Sequence, residues 1–506
     1  MKHPAVSFLF ALFTPLFPAR ALADSCTDLM SAQIAGATIT AATDVPAGSF
    51  TSPQQVGLPP VQFNVPAFCR VQLTLAPEIV TEVWLPAAWN GNFAGWGNGG
   101  ELGGIIYTLL GYGVIEGYAG VASDLGHESY SADASWALNQ PQLVEEFGYT
   151  ATHDMTVAAK SLVQIYYGTT PGHSYFYGSS AGGRQALMEA ERYPADYGGI
   201  ISVSPGQNWT NLASGMIGEE LKLGASGSSS AQLTDSQALT LNNAVIAACD
   251  ALDGVRDGLI TDPTKCHFDP GVLACPNQKS ALNCLSDVQV AAVRALYQPL
   301  TRTDGTIIYG GLPYGSEYEW FCSVLHDAFN FPFADSWYQN EVYSNPDWDF
   351  TTFNVDVDPA RAAIKLGRTE NASSADLDQF RAGGGKLLIT QGESDAIVVP
   401  QNTIAYYETI LARYKKTANS FTRLLMEPGV GHCGQGPGPD DWDPFAAMVN
   451  WVENGVAPDS IIAYRLDKKG NVNMSRPLCP WPKQPVYSGH GDIDEAKNFS
   501  CRKPPN

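Results

Sequence analysis

The sequence predicts an α/β fold, a mostly parallel sheet covered by helices and interrupted by one long insertion. Three observations carry that expectation. Short apolar runs alternate with longer helix-like stretches toward both ends of the chain. A glycine-flanked serine sits between a strand-like and a helix-like segment. From about residue 205 to 381 the chain turns acidic, glycine-rich and aromatic, and strand-like sequence then resumes.

In chain order, residues 83–86 and 93–96 read as early strands, and the stretch from 113–115 to 121–123 continues them. Residues 149–166 read as a helix, 174–178 as a strand and 186–192 as a helix. Beyond the insertion, 386–390 and 421–426 read as two further strands. The expected organisation is a first part of the core over 24–204, an inserted lid over 205–381, and the second part of the core with a C-terminal tail over 382–506.

Residues 1–23 have the form of a signal peptide, with Lys2 and His3 at a basic start, an apolar stretch over 5–17 and the small-residue pattern Ala21-Leu22-Ala23. Pro15 and Pro18 break the run and Arg20 follows it, so a membrane anchor is the weaker reading. The expectation is secretion, or a periplasmic location in a Gram-negative host. The ten cysteines agree with an oxidising destination and read as a disulfide framework, with no CxxC pair to suggest zinc. Spacing alone does not give the pairing, although Cys249 with Cys266, Cys275 with Cys284, and Cys479 with Cys501 would close short loops. Sequons at Asn208, Asn371, Asn473 and Asn498 would be glycosylated in a eukaryotic secretory host.

A formal charge of −22 with 29 Lys plus Arg argues against nucleic acid or an anionic membrane as a partner, since both demand clustered positive charge. Hydrophobic content of 44% supports a packed globule. The oligomeric state is not legible in the sequence.

The chemistry centres on Gly178-Ser179-Ser180-Ala181-Gly182, a G-x-S-x-G pattern with strand before and helix after. Such a turn holds the serine side chain out of the backbone and tolerates no bulky neighbours. It is the nucleophile elbow of α/β-hydrolases, whose acid and histidine follow the serine in that chain order. Asp395 lies just past the strand at 386–390, with Glu393 as the rival acid, and His432 lies on a glycine-rich loop past the strand at 421–426. Of the eight histidines, His3 goes with the signal peptide, His127, His153 and His173 precede the serine, His267 and His326 fall in the insertion, and His490 sits in the tail. Ser180, Asp395 and His432 are therefore the expected triad. The oxyanion donors expected are the amide of Ala181 and one from the early loop, at Gly99 or Gly100.

Within the insertion, Asp250, Asp253 and Asp257 lie on one glycine-containing loop bracketed by Cys249 and Cys266. Calcium takes 6–8 oxygen ligands from such loops, so a structural calcium site is expected here against the alternative of an acidic surface turn. The spacing is not that of an EF-hand. Trp320, Phe321, Trp337, Tyr338 and Trp348 are candidates for stacking on a phenolic group, or for the insertion's own core.

Together, the elbow with Arg184-Gln185, the segment Ser123-Asp124-Leu125-Gly126-His127, the Asp-rich loop, the segment 345–350 and Gly431-His432-Cys433-Gly434 resemble the tannase/feruloyl esterase family, which includes bacterial mono(hydroxyethyl) terephthalate hydrolase. The resemblance implies an α/β-hydrolase core with a large lid, and hydrolysis of aromatic acid esters such as plant phenolic esters. Feruloyl, galloyl and terephthaloyl esters are all open. It implies calcium held by Asp250, Asp253 and Asp257 with the carbonyls of Val255 and Leu259. It also implies disulfides Cys26–Cys69, Cys249–Cys266, Cys275–Cys284 and Cys479–Cys501. One departure stands out: the family pairs a cysteine before the serine with the cysteine after the histidine, and here the first position is Ser179. Cys322 and Cys433 are then left over, as two thiols or as a pair. A secreted calcium-binding protein on an inactive hydrolase fold is the alternative of a different class.

Overall fold

Runs such as Leu387-Leu388-Ile389 are apolar at consecutive positions because successive side chains of a strand point to opposite faces, and here both faces are covered. In a computed structural model that describes residues 25–224, 230–276, 283–325, 328–432 and 436–503, such runs form the centre of an eleven-stranded sheet. The expected signal peptide, His326 and Cys433 lie outside the described residues.

The strands are β1 (Ala37–Val45), β2 (Phe68–Leu75), β3 (Ile79–Pro86), β4 (Phe93–Trp96), β5 (Ala119–Ser123), β6 (Ser174–Ser179), β7 (Gly199–Val203), β8 (Lys386–Gly392), β9 (Thr422–Glu427), β10 (Ile461–Leu466) and β11 (Val472–Pro480). They lie in the order β1-β2-β3-β5-β4-β6-β7-β8-β9-β11-β10. The run from β5 to β9 is parallel, and the wings on either side are antiparallel. Tyr175, Ile201, Leu388 and Leu425 join one apolar cluster, with Trp96, Phe445 and Trp451. Their neighbours Phe176, Ile200, Leu387 and Leu424 join a second cluster on the opposite face.

The long insertion leaves after β7 and returns at β8, and these two strands are paired side by side. Among its described residues it adds no strand to the main sheet; its helices include Trp209–Lys222, Asp235–Cys249 and Asp358–Glu370. Trp209, Trp320, Trp337 and Tyr338 belong to the same cluster as Phe176 and Ile200, so the insertion and the sheet share one apolar interior. Buried Arg184, on the helix Ala181–Arg192, fastens the two by donating to the carbonyls of Gly148 and Glu370 while its guanidinium lies over Phe147 and Trp209.

Two expectations need correction. Residues 113–115 are not strand but the end of the helix Tyr107–Ile115, and β5 follows only at Ala119. The glycines of this helix permit close packing: a Cβ on Gly111 would stand 2.3 Å from the Phe63 ring. The helix read over 186–192 begins earlier, at Ala181. All four disulfides implied by the family resemblance are formed.

Candidate active site

Strand β6 ends at Ser179 and the next helix starts at Ala181, so the chain must reverse within Ser180. It does so at φ 61° and ψ −117°, a conformation costly for a residue with a side chain. Close backbone contact imposes it. A Cβ on Gly178 would lie 2.0 Å from the Gly182 carbonyl oxygen, and one on Gly182 would lie 2.7 Å from that of Asn98. The Ser180 amide donates to the Val203 carbonyl at 2.9 Å, tying the turn to β7.

Asp395 follows β8 and is fully buried. Its Oδ1 accepts the amides of Ile397 (2.9 Å) and Val398 (2.7 Å), and its Oδ2 accepts Gln391 Nε2 (3.1 Å). Oδ2 also stands 2.9 Å from His432 Nδ1, and His432 Nε2 stands 2.9 Å from Ser180 Oγ. A carboxylate can only accept, so Nδ1 carries the proton and Nε2 offers its lone pair to the serine hydroxyl. The three residues singled out in the sequence thus meet in one relay. Glu393 is also buried, and burial followed by the charge of Asp262 pushes its carboxyl well above the usual range. It is Asp395 that meets the imidazole. His127 is spent elsewhere, stacked on Trp136 and held neutral down to about 4 by burial.

The loop after β4 is pinned beside the elbow: Gly182 N donates to Asn98 O (2.9 Å), and Asn98 N donates to Gln185 Oε1 (3.0 Å). Ala181 opens its helix, so its amide has no intrahelical acceptor. Gly99 borders open space, with nothing within 4 Å of a Cβ placed there. Gly100, at φ +55°, is packed so that a Cβ would stand 2.2 Å from the Ser131 carbonyl oxygen.

One residue of the site was not legible in the sequence. Glu319, from a short turn of the insertion, accepts the amide of His432 with Oε1 (2.7 Å) and that of Ala396 with Oε2 (2.8 Å). Burial, then the charge of Asp395, pushes its carboxyl up to about 7, against the opposing pull of His432. No motif or spacing marks it.

The aromatic candidates of the insertion divide sharply. Trp320, Trp337, Tyr338 and Trp348 are buried, and Tyr338 stacks on Trp348 at 5.0 Å, so they are core rather than a platform for a ligand. Phe321 is exposed. A cavity of about 820 Å³ lies behind the acid loop, lined among the described residues by Gln207, Tyr309, Tyr406 and His267, with no Asp, Glu, Lys or Arg. Neither Ser180 nor His432 lines it, but two of its wall residues touch the relay: Gly206 N donates to Ser180 O, and Val398 N to Asp395.

The Asp-rich loop is closed by Cys249–Cys266 and turns at Gly254 (φ +94°) and Gly258 (φ +81°). Asp250 accepts the amides of Asp257 and Gly258; Asp253 accepts Val255 N and Thr261 Oγ1; Asp257 accepts Leu259 N and pairs with Arg476 at 2.5 Å. The donor set is that of a hard cation, and the carboxyls of Asp250 and Asp253 are held above their ordinary value by burial first and by their acidic neighbours. Convergence is less complete: among the described residues no three His, Cys, Asp or Glu side chains are gathered as a metal cage. Ser179 carries no sulfur, so the cross-link that the family resemblance attaches to that position is not available. Cys322 is in no disulfide among the described residues and lies with its Sγ 3.0 Å from the Glu319 carbonyl oxygen.

Known proteins resemble this chain in sequence and in fold. A family model described as tannase and feruloyl esterase matches residues 63–502. The chain is 34% identical to an uncharacterised esterase of Xanthomonas campestris, covering 94% of this chain and 91% of the relative. It is 31% identical to a probable feruloyl esterase B-2 of Aspergillus terreus, covering 86% of each. The crystal structure of feruloyl esterase B from Aspergillus oryzae superposes with a TM-score of 0.87 at 29% identity, over 94% of this chain and 99% of that one.

Proposed function

The chain belongs to the tannase and feruloyl esterase family and is a carboxylic ester hydrolase, and from that premise we propose that it is an exported serine esterase of aromatic acid esters, feruloyl esters first among them, with Ser180, His432 and Asp395 as its triad. The observation that carries the triad is the relay Ser180–His432–Asp395, with both links at 2.9 Å.

His432 Nε2 takes the proton of Ser180 as its oxygen attacks the ester carbonyl, and the same proton then passes to the leaving alkoxide. Asp395 holds the ring in the Nδ1–H tautomer and stabilises the imidazolium. Water repeats the sequence on the acyl-enzyme and releases the acid. Negative charge on the tetrahedral oxygen is met by the amides of Ala181 and Gly99, the second chosen over Gly100 because Gly99 borders open space.

The cavity behind the acid loop, free of Asp, Glu, Lys and Arg among its described lining residues in a chain of charge −22, suits a neutral ester better than a charged metabolite. Calcium belongs in this reading as a structural ion on Asp250, Asp253 and Asp257 with the carbonyls of Val255 and Leu259. Away from the relay, it would hold the loop's carboxylates together. Export is supported by the leader-like residues 1–23 and the four disulfides. No helix among the described residues is long and apolar enough to cross a membrane.

Turnover of p-nitrophenyl acetate and methyl ferulate, abolished in Ser180→Ala with the melting temperature kept, is the expected result. Equal rates for the two proteins would refute the triad. Methyl ferulate, methyl gallate and mono(hydroxyethyl) terephthalate compared side by side then rank the acyl group.

A further inference from the structure

We infer that Glu319 is a positioning residue for the triad: its buried carboxylate braces the acid loop against the histidine loop and places a second negative charge beside the imidazolium that forms in acyl transfer. The inference rests on the esterase reading above.

A carboxylate has two accepting oxygens, and Glu319 spends one on each catalytic loop. Oε1 takes the amide of His432 itself, and Oε2 takes the amide of Ala396, the residue after Asp395. The loops are also joined directly, by Ser394 N to Val430 O at 3.0 Å, but that bond lies ahead of both catalytic side chains. Glu319 reaches the backbone of His432 itself and that of the residue beyond Asp395. At 2% exposure it leaves little room for water to replace it. The brace is itself anchored: the Glu319 amide donates to Ser316 O (2.8 Å), and its carbonyl accepts Ser323 Oγ (2.9 Å).

Chemistry makes the residue type specific. Both loop groups are N–H donors, and only an ionised carboxylate offers two acceptors without a donor of its own. Among the described residues, the titratable groups facing it are Asp395 and His432 from the two loops, and Tyr318 and Cys322 from its own segment. In the resting enzyme above about pH 7, where Glu319 is ionised and the imidazole neutral, the carboxylates of Asp395 and Glu319 repel one another. When His432 becomes an imidazolium its charge interacts favourably with both. That gain is larger in the transition state than in the ground state, which is the condition for raising kcat rather than only tightening binding.

The test uses the full mature chain and two variants. Glu319→Gln keeps the shape but turns an NH2 toward one of the two amides; Glu319→Asp keeps the charge but is one methylene too short to reach both. For each, kcat should fall about tenfold or more while KM stays within about twofold. Hydrogen exchange in the peptides covering 393–399 and 428–432 should quicken, with the rest of the sheet unchanged. Unchanged kcat or unchanged exchange in Glu319→Gln would overturn the proposal. So would a lack of protection in those peptides of the wild-type protein, which reads the brace even where a variant fails to fold. Ser180→Ala serves as the control: it removes turnover and leaves this exchange untouched. A wild-type protein with no esterase turnover but protected loops would count against the triad and not against the brace.

Discussion

Asp395 has little freedom to be anything else. Its Oδ1 serves the amides of Ile397 and Val398, and its Oδ2 serves Gln391 and the Nδ1–H of His432. In Asp395→Asn the oxygen would keep the two loop amides, which leaves the NH2 facing His432. The ring must then accept at Nδ1 and carry its proton on Nε2, so that it confronts the Ser180 hydroxyl as a donor and no longer serves as a base. With the geometry intact, kcat should fall by a factor on the order of 10⁴, read on methyl ferulate with KM little changed. A loss under tenfold would show that Asp395 does not set the tautomer. Ser180, Asp395 and His432 were legible in the sequence because chain order and local glycine context restrict them. Glu319 was not, because its role depends on where the insertion folds back. The tryptophans of the insertion were equally ambiguous, since composition does not say which way a ring points.

Elements differ in the same way. Strands β8 and β9 were readable because burial on both faces writes a continuous apolar run, and β6 because the elbow follows it; β7, nearly as buried, was not singled out, and β1, β10 and β11 carry mixed burial and left no comparable pattern. The Asp-rich loop was visible as three carboxylates near two glycines; among the described residues these are not gathered as a metal cage, and Asp257 also meets Arg476. Calcium would offset the burial that, with a smaller part from acidic neighbours, holds Asp250 and Asp253 above their ordinary range. An ion that binds only the folded chain stabilises it by mass action, so EGTA should lower the melting temperature by about 3 °C or more, and Asp253→Asn should abolish that response. Turnover of p-nitrophenyl acetate well below the transition should hold, since the loop contributes nothing to the relay. A melting temperature indifferent to EGTA and to added calcium would remove the ion from the proposal.

For the whole molecule, catalysis and stability pull in opposite directions with pH. Burial pushes the carboxyls of Glu101 and Glu191 to about 8, and those of Asp124, Glu219, Glu317 and Glu427 to about 7. Each is raised above its unfolded value, so between about pH 4.5 and 8 the folded chain holds protons that the unfolded chain has released. Stability is then fully present below the unfolded carboxyl values and is lost as pH rises through 7 to 8. His127 acts the other way: its folded value of about 4 means that stability is lost as pH falls below the ordinary histidine range. One imidazole stands against several carboxyls, and the growing self-repulsion of a chain already at −22 sides with the carboxyls. The melting temperature in EGTA should therefore be higher at pH 5.5 than at pH 8, by about 5 °C or more. Turnover should rise over the same interval, because His432 must be neutral to accept the serine proton. Calorimetry across that range, paired with initial rates at a temperature where both ends are folded, separates the two trends. A melting temperature that climbs with pH alongside activity would mean that these carboxyls are ionised at no cost in the folded protein.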